Sequence, residues 1–261
     1  MRFLNNRVKA KLRSNKSVLG SWLNLPSLEV TEIMARSGFE FLVIDQEHGT
    51  MNFETAQKMA MVIEGYGAAP FIRVSENDPV IIKRAMETGV YGIIVPMINS
   101  KEDAQKAIAS MRYAPEGIRG VGLSRGQGYG LEFEKYKQWY KKNMVLVAQI
   151  EHIDAINNLE EILSLKDIDA TIIGPYDLSA SLGYPGEFDR KEVINAINKY
   201  VTICKKHKVP VGMHVVPADA QLVNKRMAQG FNFLVFSLDM IFLASKIKDE
   251  MELLKKYVGK N

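Results

Sequence analysis

Short runs of β-branched and other apolar residues recur along the chain, separated by stretches whose apolar residues follow helical spacing. Eight such runs read as strands, over residues 18–23, 41–45, 70–74, 92–96, 145–150, 170–174, 210–214 and 233–237. The punctuation between them is helical. One helix is predicted over 27–37, closed by Gly38; a second starts at Asp78-Pro79, with Asp as the cap and Pro in the first helical position, and closes at Gly89. Asp189 with Glu192 predicts a capping box for a third. Strands alternating with helices predict a parallel sheet, and eight such units predict an α/β fold of one kind, a single (β/α)8 TIM barrel over residues 1–261.

Two of the connections are long. Residues 112–143 are first glycine-rich (Gly117, Gly120, Gly122, Gly126, Gly128, Gly130) and then aromatic (Tyr136, Trp139, Tyr140), which predicts a flexible loop and a short helix used in function or assembly. The segment lacks G-x-x-x-x-G-K and places no G-x-G-x-x-G between a strand and a helix, so no nucleotide cofactor is expected.

Composition narrows the class of function. With 47% hydrophobic and 25% charged residues the chain is an ordinary globular sequence, and a net charge of +4 without a long basic block gives no reason to expect nucleic acid. Cys204 stands alone and forms no intrachain disulfide, which fits a reducing compartment, the cytoplasm by default. The basic segment 1–17 is not followed by an apolar stretch with a cleavage site, and no window is apolar enough to span a bilayer. Neither export nor membrane insertion is expected.

A barrel of this kind carries its active site at the C-terminal ends of its strands. Read in order, those ends hold Asp45-Gln46-Glu47-His48, Arg73, Pro96, Gln149 with Glu151, Pro175-Tyr176-Asp177, His214, and Ser237 with Asp239. They are rich in ionisable groups. Glu151 and Asp177 follow the adjacent fifth and sixth strands, so their carboxylates converge and share a proton or a cation, or else each serves as a helix N-terminal acid. An all-oxygen site favours magnesium or manganese over zinc. His48 faces the mouth as a proton carrier or stands there as a structural histidine. Arg73 suits an anionic substrate or a developing enolate, with a buried ion pair to Glu47 or Asp45 as the other reading. Glu87, near a helix C-terminus that disfavours an anion, calls for a local partner, either an imidazole or a surface cation. No predicted strand contains lysine, which disfavours a Schiff-base mechanism. Cys204, His152 and His207 read as structural.

The runs Ile44-Asp45-Gln46-Glu47-His48, Pro70-Phe71-Ile72-Arg73-Val74, Val95-Pro96-Met97, Gly117-Ile118-Arg119-Gly120-Val121-Gly122, Gln149-Ile150-Glu151 and Gly174-Pro175-Tyr176-Asp177-Leu178-Ser179 resemble, in order and over nearly the whole chain, the metal-dependent class II pyruvate aldolases of the HpcH/HpaI type. The resemblance implies a barrel of the phosphoenolpyruvate/pyruvate-binding type and a carbon-carbon lyase. Such an enzyme reversibly cleaves a 4-hydroxy-2-oxo acid to pyruvate and an aldehyde through a metal-stabilised enolate. It implies that Glu151 and Asp177 hold a divalent cation (magnesium, manganese or cobalt), and that Gln149 and the backbone amide near Tyr176 hold the pyruvate carboxylate. By the same resemblance His48 is the base, Arg73 stabilises the enolate, and Glu87 with Asp45 tunes the imidazole. The alternative it carries is oxaloacetate decarboxylation or citrate-lyase-type cleavage of an acyl-CoA ester on the same core. A barrel that only binds a keto acid would lack a base or a ligand, and none is missing here. Assembly into a trimer or hexamer through C-terminal helices is also implied. Two departures, the bulky Tyr176 and His214 at the end of the seventh strand, bear on the aldehyde side.

Overall fold

The computed structural model describes residues 5–258; residues 1–4 and 259–261 of the expected 1–261 domain lie outside the described residues. In chain order the elements are α1 (Arg7–Arg13), β1 (Val18–Leu23), α2 (Leu28–Arg36), β2 (Phe41–Asp45), α3 (Phe53–Gly65), β3 (Ala69–Arg73), α4 (Pro79–Glu87), β4 (Gly92–Val95), α5 (Lys101–Met111) and α6 (Phe133–Asn143). There follow β5 (Val145–Ile150), α7 (Ile153–Asn157), α8 (Leu159–Ile162), β6 (Ala170–Ile173), α9 (Pro175–Ser181), α10 (Lys191–His207), β7 (Val211–Val215), α11 (Ala220–Ala228), β8 (Phe233–Leu238) and α12 (Asp239–Val258). Every strand runs parallel to its neighbours, and β8 pairs with β1 to close the barrel. All eight predicted runs are strands, because a run buried on both faces needs no alternation to be recognised.

The barrel floor is set by glycine opposite phenylalanine. Phe41 stacks on Phe233 with centroids 4.8 Å apart and lies 5.1 Å from Phe71, and each ring stands beside a glycine of a neighbouring strand, in the registers Gly20 to Phe41, Phe71 to Gly92 and Gly212 to Phe233. The rings occupy the volume that side chains on those glycines would fill; a Cβ on Gly92 would lie 2.6 Å from the Phe71 ring.

Helix ends follow the sequence signals with one exception. Ser27 caps α2, and Asp78 caps α4 by accepting from Val80 and Ile81 N–H, with Gly38 and Gly89 at positive φ after the helices end. The predicted capping box at Asp189 is absent: Arg190 occupies the cap of α10 without a side-chain cap bond, which leaves Asp189 outside the helix. The basic N-terminal segment contains α1, capped by Asn6, and Lys9 of that helix pairs with Asp169 at 3.0 Å across the barrel floor.

The glycine-rich segment is ordered rather than loose. Arg119 donates to the Tyr136 hydroxyl at 2.8 Å and stacks over Tyr113, while Arg125 pairs with Glu64 and donates to the Thr88 and Gly89 carbonyls. Both arginines are buried, and their hydrogen bonds and ion pairs pin the chain around them, although Arg119 Nε itself has no partner. Among the described residues no helix is long and apolar enough to cross a membrane.

The floor makes a prediction. Gly92→Ala should destabilise the barrel by about 1–3 kcal/mol through overpacking, measured by denaturant unfolding, and Phe71→Leu in the same chain should recover part of that loss.

Candidate active site

The C-terminal strand ends surround a cavity of about 1090 Å³ whose lining includes Asp45, His48, Arg73, Gln149, Glu151 and Asp177. Its centre is Arg73, the last residue of β3. Nε and Nη2 donate to the two oxygens of Asp45 at 2.9 and 2.7 Å, Nη1 lies 3.0 Å from Glu47 Oε2, and Nη1 donates to Gln149 Oε1 at 3.4 Å. The guanidinium also lies over the Trp22 ring, 4.2 Å from its centroid. Hydrogen bonds take three of its five N–H groups, two to Asp45 and one to Gln149, while Glu47 is held as an ion pair. The ion pairs that the sequence left as an alternative for Arg73 are both present.

Asp45 is almost fully buried and does three further jobs. It accepts the backbone N–H groups of Glu47 at 3.1 Å and His48 at 3.3 Å, and the side-chain amide of Asn24 at 2.7 Å. Burial pushes its carboxyl up, but the Arg73 guanidinium and these donors outweigh burial and hold it below the usual carboxylate range. Glu47 goes the other way: burial, with Glu151 nearby, raises its carboxyl against the pull of Arg73. His48 itself is largely exposed, with Nε2 3.8 Å from Glu47 Oε2.

Glu151, just past β5, is buried, and its two oxygens accept from Met97 N–H at 2.8 Å and Gln149 Nε2 at 2.6 Å. Asp177 sits in the first turn of α9, beyond β6. Gly174 lies between them: a Cβ there would meet Glu151 Oε2 at 3.1 Å and Asp177 Oδ2 at 3.6 Å, so the two oxygens border one small space that a larger side chain would crowd. Among the described residues no group of three or more His, Cys, Asp and Glu is arranged to hold a metal. Two hard carboxylate oxygens, with room for water or substrate oxygens, fit a magnesium-type cation and not zinc. Electrostatics points the same way: Asp45 and Glu47 pair with Arg73, while Glu151 and Asp177 have no cation partner among the described residues. Tyr176 is exposed at the rim, edge-on to Phe188 at 6.4 Å.

Glu87 is not brought to His48 within the chain. It ends α4, which runs antiparallel to the strands, so it lies at the opposite rim from His48, where its Oε1 accepts from Arg119 at 3.0 Å and Gln127 at 2.9 Å. The compensation expected for an anion at a helix C-terminus is present, but it comes from a guanidinium and an amide. Cys204 contacts the Thr171 hydroxyl at 3.4 Å, and burial pushes its thiol up to about 12, which leaves it inert. His152 caps α7 and His207 pairs with Glu160.

Several supports were not legible in the sequence. Asp239 accepts the backbone N–H groups of Asn24 and Leu25, at 2.9–3.1 Å, and so positions the Asn24 amide that holds Asp45. Met97 adopts a positive φ of 53°, which turns its N–H to Glu151. The only sequence signal for either was position at a strand end.

An eight-stranded parallel barrel brings the side chains at its strand ends to one open mouth, the place where enzymes of this architecture carry their active sites. The chain belongs to the HpcH/HpaI aldolase/citrate lyase family, whose model matches residues 18–245. It is 34% identical over 240 residues to a pyruvate aldolase of Rhizobium etli, spanning 92% of this chain and 93% of the relative. Against a 5-keto-4-deoxy-D-glucarate aldolase of Klebsiella pneumoniae it is 34% identical over 252 residues, 96% and 97% of the two chains. A solved HpcH/HpaI aldolase/citrate lyase family protein from Burkholderia cenocepacia superposes with a TM-score of 0.91 at 25% identity, covering 96% of this chain and all of that one.

The mouth also makes a prediction about pH. Burial lowers His214 from 6.5 to about 4, so its ring is neutral in the native state at neutral pH. Between those values the unfolded chain binds a proton that the native chain refuses, so stability falls as pH drops through that window. Denaturant unfolding from pH 7 to pH 4 should show a loss on the order of 2–3 kcal/mol that His214→Leu does not show.

Proposed function

We propose that the protein is a divalent-metal-dependent pyruvate aldolase, cleaving a 4-hydroxy-2-oxo acid to pyruvate and an aldehyde and catalysing the reverse addition. The observation that supports this most directly is the pair of carboxylate oxygens, Glu151 Oε2 and Asp177 Oδ2, facing one space at Gly174. Those two residues would hold the cation, magnesium or manganese or cobalt. When bound, the cation supplies Lewis-acid polarisation of the substrate's keto group.

The chain's own residues account for the rest. Gln149 and the backbone amide near Tyr176 orient the carboxylate of the keto acid, which fixes the bond to be broken relative to His48. In cleavage, His48 takes the proton from the 4-hydroxyl; the C3–C4 bonding pair passes into the enolate of pyruvate, and the aldehyde leaves. The Arg73 guanidinium stabilises the negative charge that develops. Because Asp45 and Glu47 already hold the guanidinium, no reorganisation is needed when that charge appears. Protonation of the enolate at C3 completes pyruvate.

We propose further that the chain forms a homo-oligomer. Leu243, Ile247, Met251 and Leu254 share one face of α12 and are each about half exposed, an apolar stripe that a second copy would cover.

Two measurements test these proposals. Pyruvate release from a panel of 4-hydroxy-2-oxo acids and oxaloacetate should vanish with EDTA and return with magnesium or manganese. Glu151→Gln and Asp177→Asn should abolish it without unfolding the barrel, whereas full activity in both variants after chelation would remove the metal from the mechanism. In the same assay His48→Ala should lose aldol cleavage by about 100- to 10,000-fold while retaining much of any oxaloacetate decarboxylation, which needs no 4-hydroxyl proton. By light scattering, the unmodified chain should exceed the 29.4 kDa of one copy, and Ile247→Glu should reduce that mass.

A further inference from the structure

We propose that Ser181 and Ser179 of α9 are positioning residues for the carboxylate pair: their hydroxyls fix Asp177 relative to Glu151 and so set the affinity for the divalent cation. The inference rests on the cation reading above. Neither serine lines the cavity, so each acts through the backbone it holds.

Ser181 ties the two carboxylate-bearing segments together. Asp177 and Ser181 are four residues apart in α9, which puts them on one face, a turn apart. Ser181 Oγ accepts the N–H of Ile153 at 3.0 Å, and Ile153 follows Glu151 by two residues. The same hydroxyl donates to Leu178 O at 2.8 Å, so it is held at both ends. The Ile153 N–H opens α7 and has no acceptor within its own helix, a demand that the Ser181 hydroxyl meets. On the strand side of the carboxylates a second tie runs from Gly174 N–H to Ile150 O at 3.2 Å. That bond is backbone to backbone; the Ser181 bond depends on a side chain.

Ser179 restrains the turn that carries Asp177. It is fully buried, and its Oγ donates to Tyr176 O at 2.7 Å and accepts Gly186 N–H at 2.9 Å. Its carbonyl accepts Tyr184 N–H at 2.8 Å, so residues 184–186 fold onto the first turn of α9. Gly186 has a φ of +79°, and a Cβ there would come within 3.3 Å of the Tyr176 ring.

The need for such support follows from how differently the two carboxylates are held. Glu151 accepts from Met97 N–H and Gln149. The Asp177 carboxylate accepts no hydrogen bond among the described residues, so the helix turn sets its place. That helix has seven residues and no capping side chain at Gly174, and a helix so short has little of its own to fix its first turn. A serine hydroxyl can donate to a carbonyl one turn back and still accept from another segment, which is what both serines do.

Titration of the full-length protein with manganese alone, followed by the electron paramagnetic resonance signal of the free ion, reads the carboxylate pair without turnover. Ser181→Ala and Ser179→Ala should each weaken manganese binding by about tenfold, the low end of what partners behind a metal ligand contribute. Ser181→Thr, which keeps the hydroxyl, should bind as the unmodified protein does. Ser110→Ala removes a buried hydroxyl bond of the same kind in α5, from Oγ to Lys106 O at 2.7 Å, and should leave manganese affinity unmoved. In pyruvate release, the manganese concentration for half the maximal rate should rise in both alanine variants, and saturating manganese should return most of the rate. Unchanged manganese affinity in Ser181→Ala, at a half-buried position, would overturn the positioning role whether or not Ser179→Ala folds. Failure of the unmodified protein to bind manganese would overturn the cation reading, and this proposal with it.

Discussion

Arg73 is the permanent cation that Asp45 and Glu47 share at the barrel mouth, and the arrangement of the strand ends depends on it. Burying Asp45 and Glu47 without a counter-charge would cost several kcal/mol each, so the end of β2 would not keep its present course without the guanidinium. Its planar fork engages both oxygens of Asp45, and Asp45 in turn accepts the backbone of Glu47 and His48. On the far side, Asp239 grips the backbone at Asn24, and the Asn24 amide reaches Asp45. The ends of β1, β2, β3, β5 and β8 are thus tied through one charged network, and the position of the exposed His48 is set by groups that are themselves buried.

That network leaves an excess of negative charge. Arg73 pairs with Asp45 and Glu47, whereas no cation pairs with Glu151 or Asp177 among the described residues, and burial with Glu151 nearby raises the carboxyl of Glu47. Asp45 is fully compensated; Glu151 and Asp177 are not, and they lie where glycine has left room. The opposite rim uses the same residue types to a different end. There Arg119 and Gln127 both donate to Glu87 and hold the glycine-rich segment in place. What separates an anchor from a reactive group is whether its hydrogen-bonding capacity is used up, and at the mouth several groups have capacity left.

Much of the architecture could be read from the chain alone. Buried parallel strands are continuous apolar runs, and helix caps depend on residues within three or four positions, so both leave a local record. The carboxylates of Glu151 and Asp177 were legible for a similar reason: position at the end of a barrel strand is a consequence of order along the chain. Asp189 shows the limit of local signals, because the backbone turned at Arg190 and left the expected capping residue outside.

The partners of each charged group were a different matter. Glu87 was correctly read as needing compensation, but that Arg119 and Gln127 supply it depends on how a segment more than thirty residues away folds back across the floor. Asp239 and Asn24 meet because β8 closes on β1, a contact between opposite ends of the barrel's chain order. The sequence by itself determined the eight strands, their order and the residues delivered to the mouth, since these follow from periodicity and chain direction. Only the tertiary structure decided which of those residues are saturated and which are free, because hydrogen-bond capacity is spent on neighbours in space, and barrel closure chooses those neighbours.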